Sequence, residues 1–425
     1  MLKKILQTIG VRYLVAFLNL ALILINTKVL GVEGVGLVGI LIASINIVVV
    51  VCSVLCGNTI VYFINRFPVY IVLMPAYAWA IVASLLTSLL LVASEMIPVG
   101  YEVDIFLLAL LNAAVAINSR YLLAKDYIKL FNLCFFLQGG TLFFFTPYFF
   151  FFLEQRNVQA YVYAYYLSNS LAFLVSMGCV VYYLRLSGKA NTIVRPPFWS
   201  TLKEMFTYGL WSGMDNLAEN LSTRLNYFLL QHFSGVGSVG LLDTGTRISE
   251  SVFHISRSIS FITYGEVARM DEAKKQQQIA LRLFKVTFFA LILVMAVILL
   301  LPEWVYTEYL FSAEFVGIKS VIAALSIGIV ALGSNSILSH YFIGTGRVKT
   351  SVVCSFIGLG VLLLTGLCLV PRYAALGASL SASVAFSSML AYSLCRFASI
   401  AKASFGDFFP CKEDYLYIRR LIVKK

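Results

Sequence analysis

Leu241-Leu-Asp-Thr-Gly-Thr-Arg-Ile-Ser-Glu-Ser-Val-Phe-His-Ile-Ser-Arg257 decides how this chain folds. Its five ionisable residues, Asp243, Arg247, Glu250, His254 and Arg257, are spaced four, three, four and three apart. That spacing places all of them on one face of an α-helix. The preceding apolar stretch carries Asp215, Glu219 and Arg224. Both stretches are long enough to cross a bilayer, where one charge costs about 2.5–3.5 kcal/mol. Eight charges turned to lipid would cost on the order of 20 kcal/mol. They are therefore expected to face one another or a water-filled cavity.

The rest of the chain agrees with a membrane setting. Of its 425 residues 60% are hydrophobic and 12% charged, and the mean hydropathy is +0.89. Soluble domains carry about 25% charged residues. Apolar runs of about 20 residues, enough for a ~30 Å core, recur along the whole length. Twelve spans are expected: 6–29, 37–63, 69–94, 104–124, 127–152, 158–184, 205–232, 238–268, 283–302, 318–343, 350–370 and 375–399. Met1-Leu-Lys-Lys4 leads straight into the first span without a small-residue cleavage site, so no cleavable signal peptide is expected.

A net charge of +12 invites a nucleic-acid reading, but its distribution argues against one. Most Lys and Arg, among them Lys3, Lys4, Arg66, Lys125, Arg185, Lys189, Lys274, Lys275 and the tail, fall on one side of the spans. Lys28, Arg156, Lys319 and Arg372 fall on the other. Under the positive-inside rule both termini are cytoplasmic. The eight cysteines lie mostly inside spans or toward the cytoplasm, and there are three histidines. No disulfide framework or metal site is expected. Gly344-Thr-Gly-Arg-Val-Lys-Thr350 lacks the glycine that precedes lysine in a phosphate loop and reads as a basic turn. No nucleotide or other cofactor is expected. Nothing resembles a hydrolytic constellation, so the chain is not expected to be an enzyme.

Two stretches repeat. Gly31-Val-Glu-Gly-Val-Gly-Leu37 returns as Gly235-Val-Gly-Ser-Val-Gly-Leu241, identical at five of seven positions. Ser119-Arg-Tyr121, with Lys129 and Cys134, is echoed by Ser339-His-Tyr341, with Lys349 and Cys354. These places correspond if the chain is two six-helix halves, and six is even, so the halves run parallel. The glycines themselves read as tight turns that tolerate positive φ. The expected organisation is an N-terminal lobe 1–184, a cytoplasmic linker 185–204 with Pro196 and Pro197, a C-terminal lobe 205–399 and a basic tail 400–425. The fold expected is all-α, with two parallel six-helix lobes around a central cavity, helices 1 and 2 facing 7 and 8. The loop 303–317, with Trp304, Tyr306, Tyr309 and Phe311, reads as an interfacial element. The aromatic run through Phe143–Phe152 reads as lipid-facing. The tail, with Tyr415, Tyr417, Arg419 and Arg420, reads as lying on anionic lipid or as a topology anchor.

The candidate binding residues follow from charge. Arg224, Arg247 and Arg257 place positive charge at several depths, which suits a diphosphate, since guanidinium binds phosphate oxygens bidentately and keeps its charge. Asp243 with Arg247, and Glu250 with His254, are one turn apart and can neutralise each other as a purely structural ladder. Asp215 and Glu219 are also a turn apart; neighbouring carboxylates raise each other's pKa, which suits a proton or sodium coupling site. Pairing with Arg224 is an equal alternative. Arg12, Asn19 and Asn26 recur every seven residues on one face of the first helix, either lining the cavity or binding helix to helix.

The whole chain resembles the Wzx-type polysaccharide repeat-unit flippases of the multidrug/oligosaccharidyl-lipid/polysaccharide exporter superfamily. The resemblance is carried by Leu30–Leu37, by Arg224-Leu-Asn-Tyr-Phe-Leu-Leu230 with Gly235 to Leu241, and by Leu301-Pro-Glu303 with Phe311, Glu314 and Phe315. The turn Gly344–Lys349 and Leu369-Val-Pro-Arg-Tyr373 with Gly377-Ala378 complete it. It implies alternating-access transfer of a polyprenyl-diphosphate-linked oligosaccharide across a bacterial inner membrane. A glycan polymerase and chain-length machinery are the implied partners, with membrane lipids and no nucleic acid. The alternatives are a cation-coupled multidrug exporter of the same superfamily and, from another class, a membrane glycan polymerase. Two positions depart from the family pattern: Asn226 stands where an acidic residue is common, and Ala374 replaces a usual glycine, a change expected to be harmless. Cysteines placed in 185–204 should resist an impermeant thiol reagent added outside, and cysteines at 233–237 should react. The reverse pattern would sink the topology.

Overall fold

A computed structural model describes residues 2–186, 198–269, 272–402 and 405–408, and among them every regular element is helical. The order is α1 (Leu2–Cys56), α2 (Asn58–Phe63), α3 (Val69–Ala93), α4 (Glu102–Ala124), α5 (Ile128–Gly139) and α6 (Leu142–Pro147). A π-turn (Tyr148–Phe152), α7 (Val158–Leu186), α8 (Phe198–Ser234), α9 (Val236–Arg269) and α10 (Ala273–Leu300) follow. The chain then passes through short turns at Val305–Leu310 and Ala313–Phe315 to α11 (Ile318–Gly344) and α12 (Val348–Ala401).

Eight apolar stretches are long enough to cross a membrane, and two of them, Gly10–Phe63 and Val348–Ala401, hold 54 residues each. At 1.5 Å per residue such a rod is about 80 Å long, far more than one hydrocarbon core. Each must turn, and each does so on a single residue: Gly31 (φ 68°, ψ −175°) in α1 and Ala374 (φ 47°, ψ −127°) in α12. In α12 the two arms fold back on each other, with Cys354 Sγ donating to the carbonyl of Met389 at 3.2 Å. Counting both bent rods twice and adding α8 and α9 gives the twelve expected passes. The charges of α8 and α9 are what keep these two from reading as apolar spans.

Contacts divide the chain into two compact units, residues 1–244 with 306–316, and residues 245–305 with 317–425. Within the first unit α8 packs with α1 and α2. Residues 187–197 of the expected linker, and 409–425 of the tail, lie outside the described residues.

The first unit is tied by buried polar bonds between helices. The Tyr77 hydroxyl donates to Asn118, whose amide donates to Ser176 Oγ at 3.0 Å. Gln138 donates to Asn112 Oδ1 at 2.7 Å and Asn169 Oδ1 at 3.1 Å. An unpaired amide in hydrocarbon is expensive, so such residues must find one another across helices. The two glycine repeats also meet. A Cβ on Gly36 would collide with the carbonyl of Val236, and a Cβ on Gly240 with the carbonyl of Val32. Val32 matches Val236 in the repeat, and Gly36 matches Gly240, so the crossing is two-fold symmetric in sequence and in space. Gly31 and Gly235 do take the positive φ read from sequence, at 68° and 81°. The other pair is there for closeness. Toward the opposite end of α8, Tyr208 stacks on Tyr62 at 4.5 Å, and Gly209 abuts the Val54 carbonyl.

In the second unit α11 and α12 meet through small residues, with the Gly328 amide donating to Ser383 Oγ at 3.2 Å. Ser260 of α9 and Ser336 of α11 share a hydrogen bond of 2.7 Å.

Three expectations need correction. The loop 303–317 is only partly an interfacial element: Trp304 and Tyr309 are exposed, but Tyr306 and Phe311 are buried inside the first unit. In the aromatic run, Phe144, Phe151 and Phe152 are exposed as expected, whereas Phe150 is fully buried. Ala374 is not a neutral replacement either. Its φ lies in the left-handed region, where a Cβ costs about 1–2 kcal/mol. Ala374→Gly should therefore raise the melting temperature of the detergent-purified protein, corresponding to about 1 kcal/mol. A lowered melting temperature would contradict the strain.

Candidate functional site

The charged residues of α8 and α9 are placed by helix geometry, and two of them are joined through a residue the charge pattern did not single out. Arg224 and Tyr227 lie one turn apart on α8. Arg224 Nη1 donates to the Tyr227 hydroxyl at 2.9 Å, and the guanidinium carbon sits 5.4 Å from the ring centroid. The Tyr227 hydroxyl donates in turn to Asp243 Oδ1 on α9 at 3.0 Å. Tyr227 and Asp243 are 1% and 2% exposed, so this relay lies in the interior. Gly39 of α1 backs the carboxylate; a Cβ there would stand 3.1 Å from Asp243 Cγ.

The relay has a definite electrostatic meaning. The hydroxyl accepts from the cation and donates to the anion, and so links the two charges. A guanidinium has five N–H donors in a planar fork, and Tyr227 takes one. Sequence reading placed Asp243 with Arg247 by spacing alone. Tyr227 was missed because a tyrosine among Phe and Leu looks apolar, although Arg224-Leu-Asn-Tyr227 stood within a family motif.

Arg247 and Glu250 are half-buried on α9 in the second unit, and Glu219 is half-buried on α8 in the first. The side chains of Asp215, His254 and Arg257 lie outside the described residues. Asn226, the position without the family's acidic residue, is buried at 3% exposure beside Tyr227 in sequence.

On α1 the seven-residue row runs along α5. Asn132 donates to Thr8 Oγ1 at 3.0 Å, and Arg12, itself exposed, lies 5.7 Å from the Phe135 ring centroid. The Asn19 amide nitrogen is 4.0 Å from where a Cβ on Gly139 would be. Asn26 is 7% exposed, and among the described residues its Oδ1 has no hydrogen-bond partner. The lower part of the row thus touches a neighbouring helix, while Asn26 keeps an unsatisfied acceptor. Among the described residues no group of His, Cys, Asp and Glu could hold a metal ion.

Known structures share this fold. A MurJ lipid II flippase in an inward closed conformation matches with a TM-score of 0.72 and 14% identity, over 99% of this chain and 96% of that one. A MATE-family multidrug resistance transporter of the MOP superfamily, inward-facing, matches at 0.69 and 17%, over 92% and 96%. An outward-facing MATE transporter matches at 0.62 and 17%, over 94% and 96%. The chain is a multi-pass membrane protein with the fold of MOP-superfamily transporters. Residues 156–318 match the sequence profile of a family described as polysaccharide biosynthesis protein. Together these findings support the flippase resemblance carried by the motifs. No curated protein matches the sequence.

Tyr227→Phe removes the donor to a buried carboxylate, a loss of about 1–3 kcal/mol. Thermal unfolding in detergent should show it as a lowered melting temperature. Asp243→Asn keeps an acceptor for Tyr227 and should be milder. Equal melting temperatures for Tyr227→Phe and the parent would remove the relay from the structure's supports.

Proposed function

We propose that this chain moves a polyprenyl-diphosphate-linked oligosaccharide from the inner to the outer leaflet of a bacterial inner membrane by alternating access. The observation that carries the reading is the set of guanidinium groups within membrane-crossing helices. A diphosphate brings negative charge into a low-dielectric setting, and only a cation that cannot lose its proton offsets this at every stage. Arg224, Arg247, Arg257 and Arg12 are assigned to the head group, with Glu250, His254, Asp243, Asn19 and Asn26 orienting them or contacting sugar. Asp215 and Glu219 are assigned to a coupling proton or sodium ion. The match of residues 156–318 to a polysaccharide biosynthesis family favours this cargo over the drug-exporter alternative. Both termini are assigned to the cytoplasm, and 1–184 and 205–399 to the two lobes that rock about the cargo.

Arg247→Ala and Arg257→Ala should each abolish export of the repeat unit, with Lys rescuing in part because it lacks the bidentate fork. Glu250→Gln should be milder, and changes at Asp215 or Glu219 should alter the dependence on pH or sodium. Normal glycan export by a well-inserted Arg247→Ala, Arg257→Ala double variant would overturn the diphosphate assignment.

A further inference from the structure

Glu314 stands in the short turn Ala313–Phe315, between α10 and α11, and its carboxylate reaches the bend of α1. Oε2 accepts the Val32 amide at 2.8 Å. Val32 opens the second arm of α1, where the first amides have no partner inside the helix. A carboxylate there satisfies an orphan donor and meets the positive end of the helix dipole. Gly31 makes the approach possible, since a Cβ on it would come within 2.5 Å of Glu314 Oε2.

The segment that carries Glu314 is built as a strap. Its base is closed by the Gly317 amide donating to Glu303 Oε1 at 2.9 Å. Its body is held by Tyr306, Phe311 and Phe315, all at most 2% exposed, with the last two rings 5.6 Å apart. By its contacts the segment 306–316 belongs to the first unit, although the chain on either side runs on into α10 and α11. One turn beyond Val32 lies Gly36, in backbone contact with α9 through Gly240. Three separate features therefore converge on a few residues: the bend of α1, the glycine crossing and the strap.

We propose that Glu314 is a positioning residue of the transport cycle, latching the strap to α1 so that the Gly36–Gly240 crossing stays closed, and releasing when the outer side opens. The proposal rests on the flippase reading and its orientation, which put this end outside. The physics suits a reversible contact. At Gly36 and Gly240 the crossing is backbone against backbone. Glu314 is exposed, so water can take over both halves of the hydrogen bond when it breaks. Because the strap is continuous with α10 and α11, a movement of those helices pulls directly on the latch.

The test uses Val239→Cys, at a fully buried position beside the crossing and the repeat partner of Val35. In the otherwise native full-length chain, in cells, this cysteine should react slowly with an impermeant maleimide. Glu314→Ala should speed the reaction about tenfold, the shift expected from losing a charge-assisted hydrogen bond. Glu314→Gln keeps an acceptor oxygen and should restore most of the protection. The native Cys52 and Cys56, buried in the first unit, should stay unreactive throughout. A Glu314→Ala rate equal to the parent, or a rise shared by Cys52 and Cys56, would overturn the latch. Labelling needs no cargo, so it stands apart from the export assay. Failure of the unaltered chain to export a lipid-linked glycan would sink the function reading alone.

Discussion

Inside a bilayer a polar group has no water to fall back on, and an unsatisfied one costs several kcal/mol. The organisation of this chain follows from how it meets that demand. Backbone groups are satisfied by making everything a helix. Side-chain amides are satisfied in pairs and triplets, as when Gln138 bridges Asn112 and Asn169. Arg224 and Asp243, the hardest case, are joined through the Tyr227 hydroxyl. Each solution ties one helix to another, so the polar residues of this very apolar chain do much of the work of specifying which helices touch.

Glycine supplies the complementary device. With lipid as apolar as leucine, helices gain little by burying apolar surface, and close packing has to bring them together. Gly36 and Gly240 let two backbones touch, and Gly209 does the same against Val54. The symmetry of the Gly36–Gly240 contact has a simple origin. Two copies of one short sequence, each starting a helix after a positive-φ glycine, present the same surface to each other. An internal repeat read as a family trait is also an interface.

The functional reading draws on both devices. Guanidinium groups within α8 and α9 provide fixed positive charge, while the crossing beside the bend of α1 brings two backbones together. Glu314 connects the second to the chain leading into α10 and α11. A transporter needs an interior that tolerates a charged cargo and ends that open in turn. The proposed cargo site and the proposed latch both draw on this handful of polar and glycine residues.

Much of this was legible in the residues alone. Hydropathy set the all-helical membrane class and the twelve passes, because hydrocarbon thickness dictates helix length regardless of fold. The helical period put Asp243, Arg247 and Glu250 on one face, and the repeat showed two related halves. What one-dimensional spacing cannot hold is contact between residues far apart in the chain. Tyr227 stands out only because Asp243, at the start of α9, reaches its hydroxyl, and Glu314 only because a turn 282 residues away reaches Val32. The packing of α8 with the first unit and the burial of Tyr306 and Phe311 likewise depend on neighbours that no local pattern names. The strain at Ala374 was hidden for a related reason: an alanine is unremarkable until the chain must reverse on it. Local chemistry determined the elements; three-dimensional closeness alone decided which polar groups met.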